Sequence, residues 1–345
     1  MGYKITAENF DSLLKNLSKE YKIYAPKRFP KQGRYSDTDI VRYDRVYSAD
    51  EIVHDEKSDY AAKEALSPIT ETVLYFTDAD YRETKVVDDR PMLVFARACD
   101  IHSIKRYDEI FLRNGGFEDS YYKRMREKTK FILMECPTKG WDTCFCASMG
   151  TALADEYAFG VKFDGEEVLV ETKDELFNSC FAGNDEIDFT VTPVVENERV
   201  VRIPEINDKD TQLAVKSLDM WKEFDKRCLM CGSCTVSCST CTCFTTYDMN
   251  YSSDTDAGER RRINASCHVD GYTEMAGNHS FRKTGGERMR FKVMHKIHDF
   301  KKRFKENHMC VGCGRCDDKC PVFISFSTTV NRLAAEVDKL NGGNK

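Results

Sequence analysis

Several features that would place this chain in a familiar class are missing from its 345 residues. No apolar run approaches the roughly 20 residues that a helix needs to cross a membrane, so we expect no membrane-spanning helix. The opening residues, MGYKITAENF, lack the basic start and apolar core of a signal peptide. This favours the cytoplasm and argues against a disulfide framework. A formal net charge of -6 argues against general affinity for nucleic acid.

Sequence motifs for common chemistries are also absent. No G-x-G-x-x-G follows a predicted strand, so a Rossmann site for nicotinamide or flavin is not supported. Neither a nucleophilic triad nor an H-E-x-x-H metal site is found. We therefore predict no catalytic residue in this chain.

Cysteine, by contrast, is abundant: the chain has 16, and eight of them form two copies of one spacing. The C-x2-C-x2-C-x3-C run of two-cluster bacterial ferredoxins occurs at 228–238 and again at 310–320. In such proteins the fourth cysteine of each run binds the other cluster. The spacing thus predicts two [4Fe-4S] clusters. We assign the first to Cys228, Cys231, Cys234 and Cys320, and the second to Cys310, Cys313, Cys316 and Cys238.

Zinc is an alternative occupant of these runs. Paired C-x2-C elements also occur in zinc ribbons, which would make the chain a zinc-stabilised interaction module. However, eight cysteines in two such runs exceed the four ligands that tetrahedral zinc needs.

Four further cysteines lie where strands of an α/β sheet are predicted to end. Runs at 92–96 and 131–136 are typical of strands. Because the carboxyl ends of strands form the site-bearing edge of such sheets, a third [4Fe-4S] cluster is predicted from Cys99, Cys136, Cys144 and Cys146. The alternative is that these four are buried as small hydrophobic residues. Packing, or a supporting role beside a cluster, is expected for Cys180, Cys241, Cys243 and Cys267.

The spacing of apolar residues along the rest of the chain predicts an α+β protein. A mixed α/β domain is expected over 1–216, followed by an α-helical two-cluster ferredoxin-like domain over 217–345. Residues 7–21 have apolar positions at helical spacing behind Thr6 as N-cap. Further strands are predicted at 73–77 and 168–172, and further helices at 100–112 and 120–130.

A long insertion, residues 244–309, separates the two cysteine runs and is basic in places. Its positive residues include Arg260, Arg261, Arg262, Arg288, Arg290, Lys292, Lys296, Lys301, Lys302, Arg303 and Lys305. One interpretation is an ordinary solvated helix face. The others are a docking surface for an acidic partner and compensation of the negative charge of thiolate-ligated clusters.

Six segments carry a family resemblance, namely 33–39, 95–100, 144–150, 241–243, 275–282 and 310–316. In these segments the chain resembles the A subunits of anaerobic, NADH-linked sulfite reductases. The β subunits of nickel-iron sulfhydrogenases resemble it more distantly and share cysteines matching those of the predicted third cluster. Two residues depart from the pattern: Ser239, where proline is usual, and Ser280, where asparagine is common in the hydrogenase subunits. Neither is expected to touch a proposed ligand.

The resemblance implies an electron relay. A flavin-containing partner would oxidise NADH, this non-catalytic subunit would carry single electrons, and a sirohaem-containing partner would reduce sulfite to sulfide. The equivalent subunit of a nickel-iron sulfhydrogenase is the alternative. A third hypothesis makes this chain the catalytic sirohaem subunit, through C-x5-C and C-x3-C pairs at 228–234 and 316–320. It would leave three thiols without a role: Cys231, Cys310 and Cys313.

Overall fold

The computed structural model describes residues 1–84 and 88–342 of the chain. Its first strands and helices are β1 Gly2–Thr6, α1 Ala7–Glu20, β2 Lys22–Phe29, β3 Ile40–Arg45, β4 Thr70–Phe76, β5 Tyr81–Glu83, β6 Met92–Ala96, α2 Ala98–Phe111, α3 Ser120–Glu127, β7 Thr129–Met134, β8 Phe159–Asp164, β9 Glu167–Thr172 and β10 Asp185–Ile187. The chain continues with α4 Lys209–Lys216, α5 Lys222–Arg227, α6 Ser233–Val236, β11 Phe244–Asn250, β12 Gly258–Asn264, β13 Glu274–Met275, β14 His279–Ser280, α7 Gly285–Met294, α8 Phe300–Phe304, α9 Arg315–Asp318 and α10 Phe326–Gly342. A π-helical turn, His295–Asp299, joins α7 to α8.

The main sheet has the strand order β10-β1-β9-β8-β7-β6-β2-β3. Its centre is parallel, from β2 through β6 and β7 to β8, and the outer pairs are antiparallel. Every residue of β6 is buried, as expected for a strand covered on both faces. One face packs against α1, and the other packs against α2 and α3.

The opening helix shows why local prediction succeeded in this half. The Thr6 side chain accepts a hydrogen bond from the Asn9 N–H at 3.2 Å, which caps α1. Phe10, Leu14 and Leu17 recur on one face and are buried against the sheet. The strands predicted at 92–96, 131–136 and 168–172 and the helices predicted at 100–112 and 120–130 are also present, with ends shifted by up to three residues.

A second sheet, ordered β11-β12-β4-β5, crosses the predicted domain boundary. Its β11–β12 hairpin belongs to the insertion and pairs through β12 with β4 of the N-terminal half. The helical C-terminal region is confirmed, and its helices α4, α5, α7 and α10 form a separate core. The hairpin within the insertion was not predicted. The α+β class is confirmed, while the division at 216/217 stays a prediction. None of the helices in the described ranges is both long and apolar enough to cross a bilayer.

A buried ion pair holds the second cysteine run against the main sheet. The Arg315 guanidinium donates from Nη1 to Asp100 Oδ1 at 2.9 Å and from Nη2 to Asp100 Oδ2 at 3.1 Å. The two side chains are 3% and 0% exposed, so this bidentate pair is shielded from water. Burial disfavours the charge, but Asp100 and then Cys313 outweigh it and raise the pKa of Arg315 above its ordinary range.

Asp100→Asn should destabilise the fold by about 3–5 kcal/mol, because removal of one partner leaves a buried charge uncompensated. The midpoint of anaerobic urea unfolding, followed by circular dichroism, measures this loss. A matched control is Asp338→Asn, which breaks the exposed Arg202–Asp338 pair and should barely move the midpoint. Equal midpoints for the two variants would contradict a structural role for the buried pair.

Candidate iron-sulfur centres

The structure brings the four thiols assigned to the first cluster to one cavity. Cys228 directly follows α5, and the loop after it leads through Cys231 to Cys234 in α6. The same cavity is lined by Cys320 and Cys316 from the second run. Burial raises the pKa of Cys228, and the charges of Cys234, Cys231 and Cys320 act in the same direction. Cys320 of the second run thus lies with the thiols of the first run, as expected when each run supplies the fourth ligand of the other cluster. The ligand set itself stays a prediction.

The thiols assigned to the second cluster also lie together. Burial raises the pKa of Cys310 to about 12, and the charges of Cys313 and Cys238 contribute in the same sense. Burial likewise raises the pKa of Cys316, and the charges of Cys238 and Cys313 act in the same direction. The last cysteine of the first run therefore lies beside the second run.

Backbone N–H groups point at sulfur in both runs. The Met230 N–H donates to Cys228 Sγ at 3.4 Å, and the Gly312 N–H donates to Cys310 Sγ at 3.4 Å. A further N–H, from Ile324, donates to Cys320 Sγ at 3.2 Å. Such donors favour the more negative, reduced form of an iron-sulfur cluster and so raise its reduction potential.

Two glycines allow the second run to lie directly on the Cys144–Cys146 loop. Gly312 and Gly314 have φ of +68° and +71°, a region that favours glycine. A Cβ on Gly312 would lie 2.6 Å from the Phe145 carbonyl, and one on Gly314 would lie 2.3 Å from the carbonyl oxygen of Thr143. The Phe145 N–H closes the contact by donating to Gly312 O at 2.8 Å.

This contact brings the predicted third group of thiols next to the second. Since β6 and β7 are parallel neighbours, their carboxyl ends meet, with Cys99 in the first turn of α2 and Cys136 just past β7. Burial, and then the charges of Cys144 and Cys136, raise the pKa of Cys146 to about 12. Burial also raises the pKa of Cys99, and the charges of Cys313 and Cys146 act in the same direction. The four thiols share one neighbourhood, and their role as cluster ligands stays a prediction.

Buried and half-buried cations lie beside these thiols. Lys57 Nζ lies 4.0 Å from Cys144 Sγ and 2.6 Å from Asp318. Lys292 Nζ donates to the Cys234 carbonyl at 3.4 Å. Burial opposes the charge of Lys296, but Cys238 and then Cys241 outweigh it and raise the pKa of Lys296. Sequence reasoning noticed Lys292 and Lys296 only as part of a basic insertion, and it missed Lys57.

Eight of the positive residues named above in the insertion fall into three groups. Arg260, Arg261 and Arg262 pair with Asp248, Glu259, Glu71 and Asp119. Lys292 and Lys296 are buried beside the thiols, as charge compensation would require. Lys301, Lys302 and Arg303 are exposed at the end of α8. Only this last group retains the properties expected of a docking surface.

The expectation that Ser239 touches no proposed ligand is wrong. Ser239 is fully buried, and its Oγ lies 3.4 Å from Cys313 Sγ. Because a metal-bound thiolate carries no proton, the serine hydroxyl would be the donor. The departure from proline therefore adds a hydrogen bond to sulfur.

Ser239→Ala should lower the reduction potential of the second cluster by an amount on the order of tens of millivolts, because one donor to sulfur is lost. Redox titration of the reduced protein, followed by electron paramagnetic resonance, measures the change. Ser237→Ala is the matched control, since Ser237 is equally buried but donates to the Ser233 and Arg315 carbonyls. Unchanged potential in the Ser239 variant would remove this role.

Among residues 1–84 and 88–342, no group of three or more His, Cys, Asp or Glu side chains has the spacing of a single-ion site.

Comparison with known proteins agrees with the cysteine pattern. The family described as "4Fe-4S dicluster domain" matches residues 227–324, which include all eight cysteines of the two runs. Sulfhydrogenase 2 subunit beta of Pyrococcus furiosus is 28% identical over 353 residues, covering 96% of this chain and 97% of that protein. No solved structure matches the chain. Residues 227–324 are therefore similar to a [4Fe-4S] dicluster domain.

Proposed function

We propose that this chain is the non-catalytic electron-transfer subunit of an anaerobic sulfite reductase in the cytoplasm. The observation that carries the proposal is the interleaving of the two cysteine runs, with Cys320 beside Cys228 and Cys238 beside Cys310. The dicluster match and the full-length similarity to a hydrogenase subunit support an electron-transfer role. Sulfite as the final acceptor rests on the sequence resemblance.

In this proposal the clusters supply one-electron chemistry, and the protein positions and insulates them. The Gly312–Phe145 contact keeps the Cys144–Cys146 loop against the second run. Buried Lys292 and Lys296 offset the negative charge of the thiolates. No proton or hydride needs to move at this chain.

One end of the proposed relay reaches the surface. Cys231 is exposed, and Leu229, which lines the first cavity with it, is 62% exposed. Phe323, 81% exposed, lies in the chain between Val322 and Ile324, which also line that cavity. Exposed apolar side chains beside a redox centre suit contact with a partner subunit. We place one electron-transfer interface here, toward either the flavin and NADH-binding partner or the sirohaem partner.

A second candidate is the β subunit of a nickel-iron sulfhydrogenase. It is favoured by the similarity to the Pyrococcus furiosus protein across nearly the whole of both chains. Electrons would follow the same path through the clusters, and only the catalytic partner would differ. Sirohaem in the co-purified complex supports the first proposal, whereas nickel supports the second.

Cys313→Ser should remove one [4Fe-4S] cluster and abolish NADH-driven sulfite reduction by the complex, because the path between the groups of thiols is cut. The sirohaem partner should still reduce sulfite with an artificial electron donor. Both rates and the iron content are measured, with Cys180→Ser as control, since Cys180 packs against the N-terminal core. NADH-driven turnover at the parent rate would contradict the relay.

The double variant Lys301→Glu, Lys302→Glu should weaken assembly of the complex, and more so at low salt, because exposed charges act over a Debye length of about 10 Å at 0.1 M. Affinity for the partner subunits at several salt concentrations is the measurement. Lys15→Glu, Lys19→Glu on exposed positions of α1 changes the net charge equally and serves as control. If both pairs behave alike, the end of α8 is an ordinary solvated surface.

A further inference from the structure

Three cysteines outside the twelve described above line a separate cavity. Cys241, Cys243 and Cys267 border a space of about 400 Å3, together with Tyr272 and His295. A single water needs only about 10–15 Å3 on a comparable measure. The eight atoms of a [4Fe-4S] core therefore fit inside.

The hairpin β11–β12 brings these cysteines together. Its register pairs Phe244 with Asn264, so Cys243, just before β11, lies at the same end as the segment leading from β12 to Cys267. The Ala265 N–H donates to the Cys243 carbonyl at 2.9 Å and fixes that end. Residues far apart in sequence are thereby placed around one opening.

Backbone contacts anchor the other two cysteines. Lys63 Nζ donates to the Cys241 carbonyl at 3.0 Å, and the Tyr107 hydroxyl donates to the same oxygen. The Arg288 guanidinium donates to the Cys267 carbonyl at 3.3 Å. All three cysteines are therefore held through their main chain, and their thiols remain available to a ligand in the cavity.

The electrostatic surroundings suit an anionic cofactor. Buried Lys292 and Lys296 line the same cavity. The Cys241 N–H donates to the carbonyl of Cys238 at 3.4 Å, so this cavity adjoins the second predicted cluster.

Packing alone explains these three cysteines poorly. Cysteines that act as small hydrophobic residues fill space in a core, whereas these border a large cavity. The cavity wall includes Phe244, which is 37% exposed, so its mouth reaches solvent.

We propose that Cys241, Cys243 and Cys267 hold a fourth iron-sulfur centre, a [4Fe-4S] cluster with three thiolate ligands and one iron that faces the open cavity. Its proximity to Cys238 would connect it to the second cluster. The fourth iron would take a non-cysteine ligand, with the Tyr272 hydroxyl close to Cys243. The inference concerns cofactor content and holds whichever catalytic partner the subunit serves.

Iron and acid-labile sulfide are measured on the full-length chain after anaerobic reconstitution. Cys243→Ser and Cys267→Ser should each lose about four iron and four sulfide relative to the parent. Cys180→Ser, a cysteine of the N-terminal core, should lose none. Parent-level iron in both cavity variants would overturn the proposal. Cys313→Ser tests the relay separately, since it lies outside this cavity.

A second measurement on the parent protein remains decisive if a variant does not fold. An iron without a thiolate ligand is the most easily lost, so ferricyanide should convert the cluster from [4Fe-4S]2+ to [3Fe-4S]+, releasing one Fe2+ and passing one electron to ferricyanide. The paramagnetic resonance signal of [3Fe-4S]+ should appear, and Fe2+ with a reductant should reverse it. Absence of the signal in the parent, or an equal signal in Cys267→Ser, would overturn the assignment.

Discussion

The arrangement of the predicted centres depends on the buried pair between Arg315 and Asp100. Arg315 lies between Cys313 and Cys316 of the second run, and Asp100 directly follows Cys99 of the third group. A bidentate guanidinium fixes both distance and orientation, which a lysine at the same position would not do. Buried ion pairs add little net stability compared with apolar packing. We therefore explain this pair by its role in positioning the adjacent thiols. It sets the spacing between two groups of thiols that come from different halves of the chain.

Charge compensation is the second constraint on this fold. The chain is acidic overall, with a net charge of -6, yet Lys57, Lys292, Lys296 and Arg315 are directed inward. Desolvation of each cation costs several kcal/mol unless negative charge lies nearby. Asp100 provides that charge for Arg315, and Asp318 provides it for Lys57. The thiolates of bound clusters would provide it for Lys292 and Lys296, so these two lysines stabilise the loaded protein and destabilise an empty one. Folding and cluster insertion are then thermodynamically linked, as in other proteins whose metal ligands also hold the structure together.

Sequence reasoning succeeded where the determinant was local. The ligand spacing of the two runs, the N-cap at Thr6 and the apolar strand at 92–96 are all set by residues within one short segment. The β11–β12 hairpin was missed because its strands have few apolar residues and are stabilised by distant partners, such as Glu71 and Asp119 for Arg262. Ser239 was misjudged for the same reason, since the thiol it contacts is Cys313. Lys57 and Lys63 gave no signal, because only the tertiary fold places them beside cysteines.

The interleaved runs also explain how a long insertion can be tolerated between them. If Cys238 binds with the second run and Cys320 with the first, the clusters close the loop over 244–309 at both ends. The entropic cost of closing a loop grows only with the logarithm of its length. The hairpin adds a third attachment, because it pairs with β4. The insertion is therefore fixed at its two ends and at the second sheet. A segment restrained in this way can hold Cys267 at a fixed position relative to Cys243, which directly precedes the segment. An unattached loop of the same composition would not do so.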